Sequence, residues 1–288
     1  MNSTPPTIRP AHPSDIPALL SLLLTSFRQF PLFSHLYPHL LTNKDTAHDT
    51  ILFWKQRLLL DLQDPFVSVL VAEIPETICL AIGHDIREGA MKSDDEAVIE
   101  EESRRMLDWV QTRGGLSQVS QEREGWLVVG FAIWRDRIPE APPQADAGQQ
   151  ESRSREVVPR GGEGDTAINA EEWVDLKNYQ RRDQDPERYA AYLKAEEELS
   201  QRFYATGCYY LDNLCVDFRH QRRGIGTCLV EQGLQHARGK GLAVQTEASP
   251  KGLGLYQKLG FKNIGTWRVP LVVGEEFMEL PVLRWVST

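Results

Sequence analysis

Residues 219–241 read RHQRRGIGTCLVEQGLQHARGKG: two arginines and two closely spaced glycines stand directly before an amphipathic run. The first N–H groups of a helix have no partner inside it and aim outward, and the helix dipole adds positive potential there. With bare backbone and cationic side chains beside it, such a helix start predicts an anion, and a phosphate in particular. Gln221, Gly224 and Gly226 set the spacing Q-x-x-G-x-G, in which glycine lets the backbone approach a ligand closely. Ile225, Leu229, Val230, Leu234 and Ala237 recur at helical spacing and predict a core-facing stripe over about 224–239. A P-loop does not fit, because Gly226 is followed by Thr227 and Cys228. A dinucleotide fingerprint fails too, since Leu229 stands where its third glycine belongs. Gly252 and Gly254 fail the same test at Gln257.

Working outward, GCYYLDNLCVD (207–217) before the motif and GLAVQTEAS (241–249) after it read as strands. PKGLGLYQKLGF (250–261) reads as a short helix ending at Gly260, and KNIGTWRV (262–269) and ELPVLRWV (279–286) as closing strands. Towards the N-terminus, TIRPA (7–11), PFVSVLVAEI (65–74) and GWLVVGFAIWRD (125–136) read as strands. PSDIPALLSLLLTSF (13–27) reads as a helix with Ser14 placed to cap it, and 43–62 keeps a helical period. Residues 76–124 are polar, with a helix expected from Asp94 to Gln111. Residues 137–170 are poor in large apolar side chains, a composition that predicts disorder. Helical signal returns over 171–204. Strands alternating with helices predict a mixed α/β sheet in one domain spanning 1–288, with insertions at 76–124 and 137–206.

The chain has 288 residues, a net charge of −9 and a hydrophobic fraction of 41%, values of a globular protein with a real core. That charge argues against a nucleic-acid partner, whose footprint is a broad basic field, while leaving room for a small basic pocket. LLSLLL (19–24) is too short to cross a bilayer, and the start lacks a secretory pattern. Cys79, Cys208, Cys215 and Cys228 form no CxxC pair, and His35, His39, His48 and His84 share no ligand spacing, so no metal is expected. A reducing compartment, the cytoplasm with the nucleus left open, is the expected location.

LDNLCVDFRHQRRGIGTCLVEQGLQHARGKGLAVQTEASPKGLGLYQKLGF (211–261) combines a strand ending in LCV, the Q-x-x-G-x-G turn and the downstream LYQKLGF. This ordered set resembles the acetyl-CoA-binding core of the GNAT superfamily of N-acetyltransferases. TIRPAHPSDIPALL (7–20) is similar to the family's opening strand and helix. The resemblance implies the acyl-CoA N-acyltransferase fold: an α/β fold of α+β type, with a mixed, mostly antiparallel central sheet, helices on both faces and a cofactor core over 207–268. It implies that the acetyl-CoA pyrophosphate sits on the amides of Arg222, Arg223, Gly224, Ile225, Gly226 and Thr227, with Gln221 also among the cofactor-binding residues. It also implies that the strand at Leu214, Cys215 and Val216 splays from its neighbour and holds the pantetheine arm.

Acetyl transfer to an amine needs a neutral nucleophile, a stabilised oxyanion and a proton for the departing thiolate. Tyr256 matches the family's tyrosine near the thioester sulfur, where a phenol donates that proton; packing is its other reading. The Val216 N–H is placed to polarise the acetyl carbonyl. Asp212 shares strand parity with Leu214 and Val216 and is the first choice for the base, with Glu247 the second. Ser249 reads equally as a helix cap and as a cofactor contact. By resemblance the segment after the first helix covers the acceptor, so Phe27, Phe30, Phe33 and Tyr37 line the pocket or fill the core. The expected activity is direct transfer of an acetyl group to a small primary amine. The alternatives are a non-catalytic acyl-CoA sensor and a protein (lysine or N-terminal) acetyltransferase. No membrane partner is expected, and the oligomeric state stays open.

Overall fold

The computed structural model describes residues 5–28, 30–39, 44–76, 125–137, 175–176, 179–204, 207–271 and 277–287. The expected helix at 94–111, the stretch 138–170 and Cys79 lie outside them. Seven strands form one sheet: β1 (Thr7–Pro10), β2 (Val67–Pro75), β3 (Trp126–Arg137), β4 (Cys208–Val216), β5 (Val244–Glu247), β6 (Lys262–Pro270) and β7 (Phe277–Trp285). Their order is β1-β2-β3-β4-β5-β7-β6, and each neighbouring pair is antiparallel except β4–β5. The helices are α1 (Ile16–Arg28), α2 (Pro31–Leu36), α3 (Lys44–Gln63), α4 (Pro186–Phe203), α5 (Ile225–Lys240) and α6 (Leu253–Lys258).

Alternation along the strands divides the core in two. On one face Ala72, Trp134, Tyr209 and Leu211 pack against Ile225, Leu229, Val230 and Leu234 of α5 and Tyr256 of α6. On the other, Val71, Phe131 and Ile133 meet α1 and α3, while Tyr210 and Trp267 meet α2 and α4. Gly233 lies on the Trp134 indole, so closely that a Cβ there would sit 2.1 Å from the ring. Trp134 is fully buried and stacked on Tyr209 at 4.9 Å, and it has nowhere to go. Gly233→Ala is therefore expected to cost about 2–3 kcal/mol through overpacking, read as a fall in the urea midpoint; an unchanged midpoint would contradict the contact.

Three expectations change. Ser14 does not cap the first helix: it lies within a 3-10 turn, Pro13–Asp15, whose N-cap is His12. Asp15 accepts from the His12 N–H at 2.8 Å and from Arg9 at 2.7 Å, and Arg9 also donates to Glu73, fastening β1 to β2. The helix expected within 171–204 begins only at Pro186, where a missing N–H costs nothing and Asp185 accepts from the Glu187 and Arg188 amides. Residues 179–204, read as part of an insertion, are built into the core. Asp183 and Arg181 form a buried ion pair at 2.6 Å, Thr50 of α3 donates to Asp183, and the Arg181 guanidinium lies over the Tyr37 and Phe53 rings. Trp267 of β6 donates to the Ala195 carbonyl of α4 at 3.0 Å.

Candidate active site

The parallel β4–β5 ladder holds only two pairs, Tyr209↔Val244 and Tyr210↔Gln245, although β4 continues to Val216. Beyond Tyr210 the strands part. The Asp217 amide donates to Val129 on the β3 side, so by alternation the backbone groups of Leu214 and Val216 point into the opening. Cys215 does not share that placement: its side chain is buried in the core against α1, where burial pushes the thiol up to about 12. Gln221 Nε2 donates to the Val216 carbonyl at 3.1 Å and ties the glycine turn to the end of β4.

That turn is strained in the way a backbone anion site requires. Arg222 has φ 63° and Gly224 φ 84°, both left-handed. No side chain caps α5, and its first bond runs from the Cys228 amide to the Gly224 carbonyl, leaving the preceding amides free of intrahelical partners. A Cβ on Gly224 would meet nothing within 4 Å, whereas one on Gly226 would come within 3.1 Å of Leu255 and close on Val216 and Leu214. The turn thus abuts the opening. Arg222 and Arg223 are exposed at its rim, Ile225 is in the core and Thr227 is half-buried. These groups suit the phosphates and the extended arm of coenzyme A: uncapped amides, flanking guanidiniums and unpaired β4 backbone.

Tyr256 and Glu247 flank the opening from opposite faces. Tyr256 is buried on the α5 face, packed on Phe261, and its phenol is pushed well above the usual range by burial, with a hydrogen bond to Thr246 working the other way. A phenol so raised keeps its proton at neutral pH. Glu247, on the α4 face, accepts from the Tyr210 hydroxyl through Oε2, while its Oε1 is shielded from water without a partner. Burial pushes this carboxyl up to about 8, against the pull of the Arg137 guanidinium.

Asp212 stands differently from its strand-parity expectation. The β3–β4 register pairs Ile133 with Asn213 and Trp134 with Leu211, so Asp212 is the extra residue of a bulge. The bulge shifts the alternation: Leu211 shares a face with Leu214 and Val216, and Asp212 does not. Its carboxylate accepts from Arg135 Nε at 2.6 Å, and Arg135 also grips Asp61 of α3 with two bonds. Ser249 accepts from the Gly252 amide through its Oγ and its carbonyl, one turn ahead of α6, whose own N-cap is Gly252 without a side-chain cap. Phe30, Phe33 and Tyr37 join one aromatic run that continues into Tyr189 and Tyr192 of α4; Phe27 lies in α1, and its side chain is outside the described residues.

Reading the sequence found α4 as a helix but not its place beside the opening. Tyr189, Tyr192 and Glu196 recur at helical spacing in PERYAAYLKAEEELSQRF, the one local signal that could have singled them out. Glu196 is raised by burial, opposed by Arg137 and reinforced by Asp212, and it adds to the raised state of Glu247.

Residues 185–263 match the sequence profile of the Acetyltransferase (GNAT) domain. That stretch is similar to a GNAT acetyltransferase domain. The match opens at Asp185, the cap of α4, and so includes that helix. No curated protein matches the chain in sequence. Among solved structures, an arylalkylamine N-acetyltransferase from Aedes aegypti has the same fold, at 14% identity, with a TM-score of 0.50 and 98% of each chain covered. A polyamine N-acetyltransferase from Drosophila melanogaster aligns at 14% identity and TM-score 0.46, covering 98% of this chain and 100% of that one. A ribosomal-protein-alanine N-acetyltransferase from Brucella melitensis aligns at 15% and 0.41, covering 98% and 99%. The turn at Gln221–Thr227 abuts the opening beside Leu214 and Val216, and Tyr256 shares the α5-face core with those two side chains.

Proposed function

We propose that this GNAT domain transfers the acetyl group of acetyl-CoA directly to a small primary amine. Acetyl-CoA supplies an acetyl group activated as a thioester. The amides of Arg222–Thr227 hold its pyrophosphate, and the backbone of Leu214 and Val216 holds its arm. The Val216 N–H donates to the acetyl carbonyl as negative charge develops there. Glu247 takes a proton from the incoming ammonium, so that a neutral amine attacks. The new C–N bond forms as the C–S bond breaks, the Tyr256 hydroxyl passes its proton to sulfur, and the acylated nitrogen gives its second proton to water, leaving a neutral acetamide and a free thiol. Solvent reprotonates Tyr256 and receives the proton held by Glu247.

The observation that carries this reading is the placement of a proton donor and a proton acceptor on opposite faces of one opening in the sheet. Asp212 is the weaker choice for the base because its carboxylate is engaged by Arg135. The tyrosines and Glu196 on the α4 face favour a small cationic acceptor, since rings and carboxylates both attract an ammonium. The test is an assay of thiol release with acetyl-CoA, a panel of small primary amines and lysine-containing peptides. Transfer to an amine is expected, with kcat lowered about 10-fold or more in Tyr256→Phe, a loss on the scale of general acid catalysis. A folded protein that transfers to none of them would overturn the reading, and transfer to peptides alone would replace the small acceptor with a protein.

A further inference from the structure

Past the last β4–β5 pair, Tyr210↔Gln245, a side chain on the α4 face still joins the two strands. The Tyr210 hydroxyl donates to Oε2 of Glu247, two residues further along β5, where that strand has left β4 and pairs with Val282 of β7. Tyr210 is itself held firmly. Its backbone pairs with Arg135 of β3 on one side and Gln245 of β5 on the other, and its side chain is buried. The Arg137 guanidinium lies over the Tyr210 ring at 4.1 Å and over the Tyr204 ring at 4.6 Å, while the two rings meet edge-on at 5.2 Å. That clamp fixes the direction in which the phenol points. The two oxygens of Glu247 are left unlike: Oε2 is engaged, and Oε1 is shielded from water without a partner.

We propose that Tyr210 is a positioning residue of the acetyl-transfer site: its hydroxyl, aimed by the Arg137–Tyr204 clamp, pins Oε2 of Glu247 and leaves Oε1 to receive the proton of the acceptor ammonium. The proposal rests on the reading of Glu247 as the base. Tyr210 touches neither substrate nor reacting atom and acts only through Glu247. Among the described residues no other hydrogen bond holds this carboxyl, so without the hydroxyl its side-chain torsions are free to turn. A base must lie within hydrogen-bond reach of the proton it takes, and a turning carboxylate loses that reach. The bond also favours the charged carboxylate over the neutral acid, because a donor to the anion stabilises it. Tyr210→Phe removes the oxygen and keeps the ring on which Arg137 and Tyr204 pack.

The test is the pH profile of kcat on the purified full chain, with the best amine from the panel, joined to a double-mutant cycle. Tyr210→Phe is expected to lower the plateau kcat about 10-fold with KM for acetyl-CoA changed less than about 2-fold. It should also move the rising limb to higher pH by about one pH unit, the scale of one lost hydrogen bond to a charged group. The charged groups acting on Glu247, Arg137 of β3 and Glu196 of α4, stay in place in this variant, so a moved limb reports the hydroxyl. In the Glu247→Gln background, Tyr210→Phe should cost almost nothing further, because the base it positions is gone. An unmoved limb in a folded Tyr210→Phe, or an equal loss in both backgrounds, would overturn the proposal while leaving acetyl transfer intact. If Tyr210→Phe does not fold, Tyr210→Met, which fills the space without a donor, carries the same profile and cycle. Failure of the reading beneath is seen separately, with Tyr210 intact: no acetyl transfer by the unmodified protein, or an unchanged kcat in Glu247→Gln, would overturn both.

Discussion

Gly224→Glu is expected to weaken acetyl-CoA binding by 100-fold or more, measured by calorimetric titration against the unmodified protein. The glycine is the N-cap of an otherwise uncapped helix, and a Cβ there faces open space, so the new side chain projects over the bare amides. A carboxylate in that position does two things. It accepts from the amides that would otherwise hold the pyrophosphate, and it repels the phosphates themselves. A 100-fold loss corresponds to about 2.7 kcal/mol, within reach of one competing charge placed among charge-assisted hydrogen bonds. Position 224 also has φ 84°, so any side chain adds backbone strain of about 1–2 kcal/mol. Gly224→Asn separates the two effects, since asparagine tolerates the left-handed region and carries no charge. It should bind more tightly than the glutamate variant at similar stability. Full affinity in a folded Gly224→Glu would move the phosphates away from this turn, and no binding by the unmodified protein would remove acetyl-CoA from the account.

Glu247→Gln is expected to lower kcat about 100-fold or more, the usual contribution of a positioned base. The change is isosteric, and the Tyr210 hydroxyl that donates to Glu247 can donate equally to an amide oxygen. The pH profile is the sharper readout. Burial pushes the Glu247 carboxyl up to about 8, so the basic form gains population as pH rises and kcat should climb through that value. In Glu247→Gln that limb should vanish. The same shift has a consequence for stability. A group raised from its ordinary value of 4.5 to about 8 favours the folded state at low pH, and that contribution is lost as pH rises through the folded value. The urea midpoint should therefore fall between pH 4.5 and 8 in the unmodified protein and less in the variant. A glutamine variant with unchanged kcat and an unchanged limb would return the role of base to Asp212 or to a water.

All seven strands and the helix after the glycine turn were legible in the sequence, because each depends on information held within about ten residues. Short apolar runs rich in β-branched residues mark strands such as β2 and β3, a helical stripe marks α5, and the glycines at 224 and 226 mark a turn that needs a left-handed backbone and a close approach. The uncapped helix start is legible for the same reason: it is made of consecutive amides. Tyr256 needed the ordered motif around it, since a lone tyrosine on a helix reads equally well as core.

What the sequence could not supply is everything set by a partner far along the chain. The bulge at Asp212 exists only in the register with β3, and it reverses the facing that simple parity predicts. The grip of Arg135 on Asp61 and Asp212 joins three distant elements and leaves Asp212 paired, while Glu247 keeps an unpartnered oxygen. Likewise α4 looked like the tail of an insertion because its composition is charged; only its packing on β6 and the charge of Glu196 acting on Glu247 bring it to the opening. The sequence by itself determined the elements, the glycine turn and the tyrosine. Tertiary structure alone decided which acid is raised with one oxygen unpartnered and which helix packs beside it, because desolvation and charge pairing depend on neighbours in space rather than in sequence.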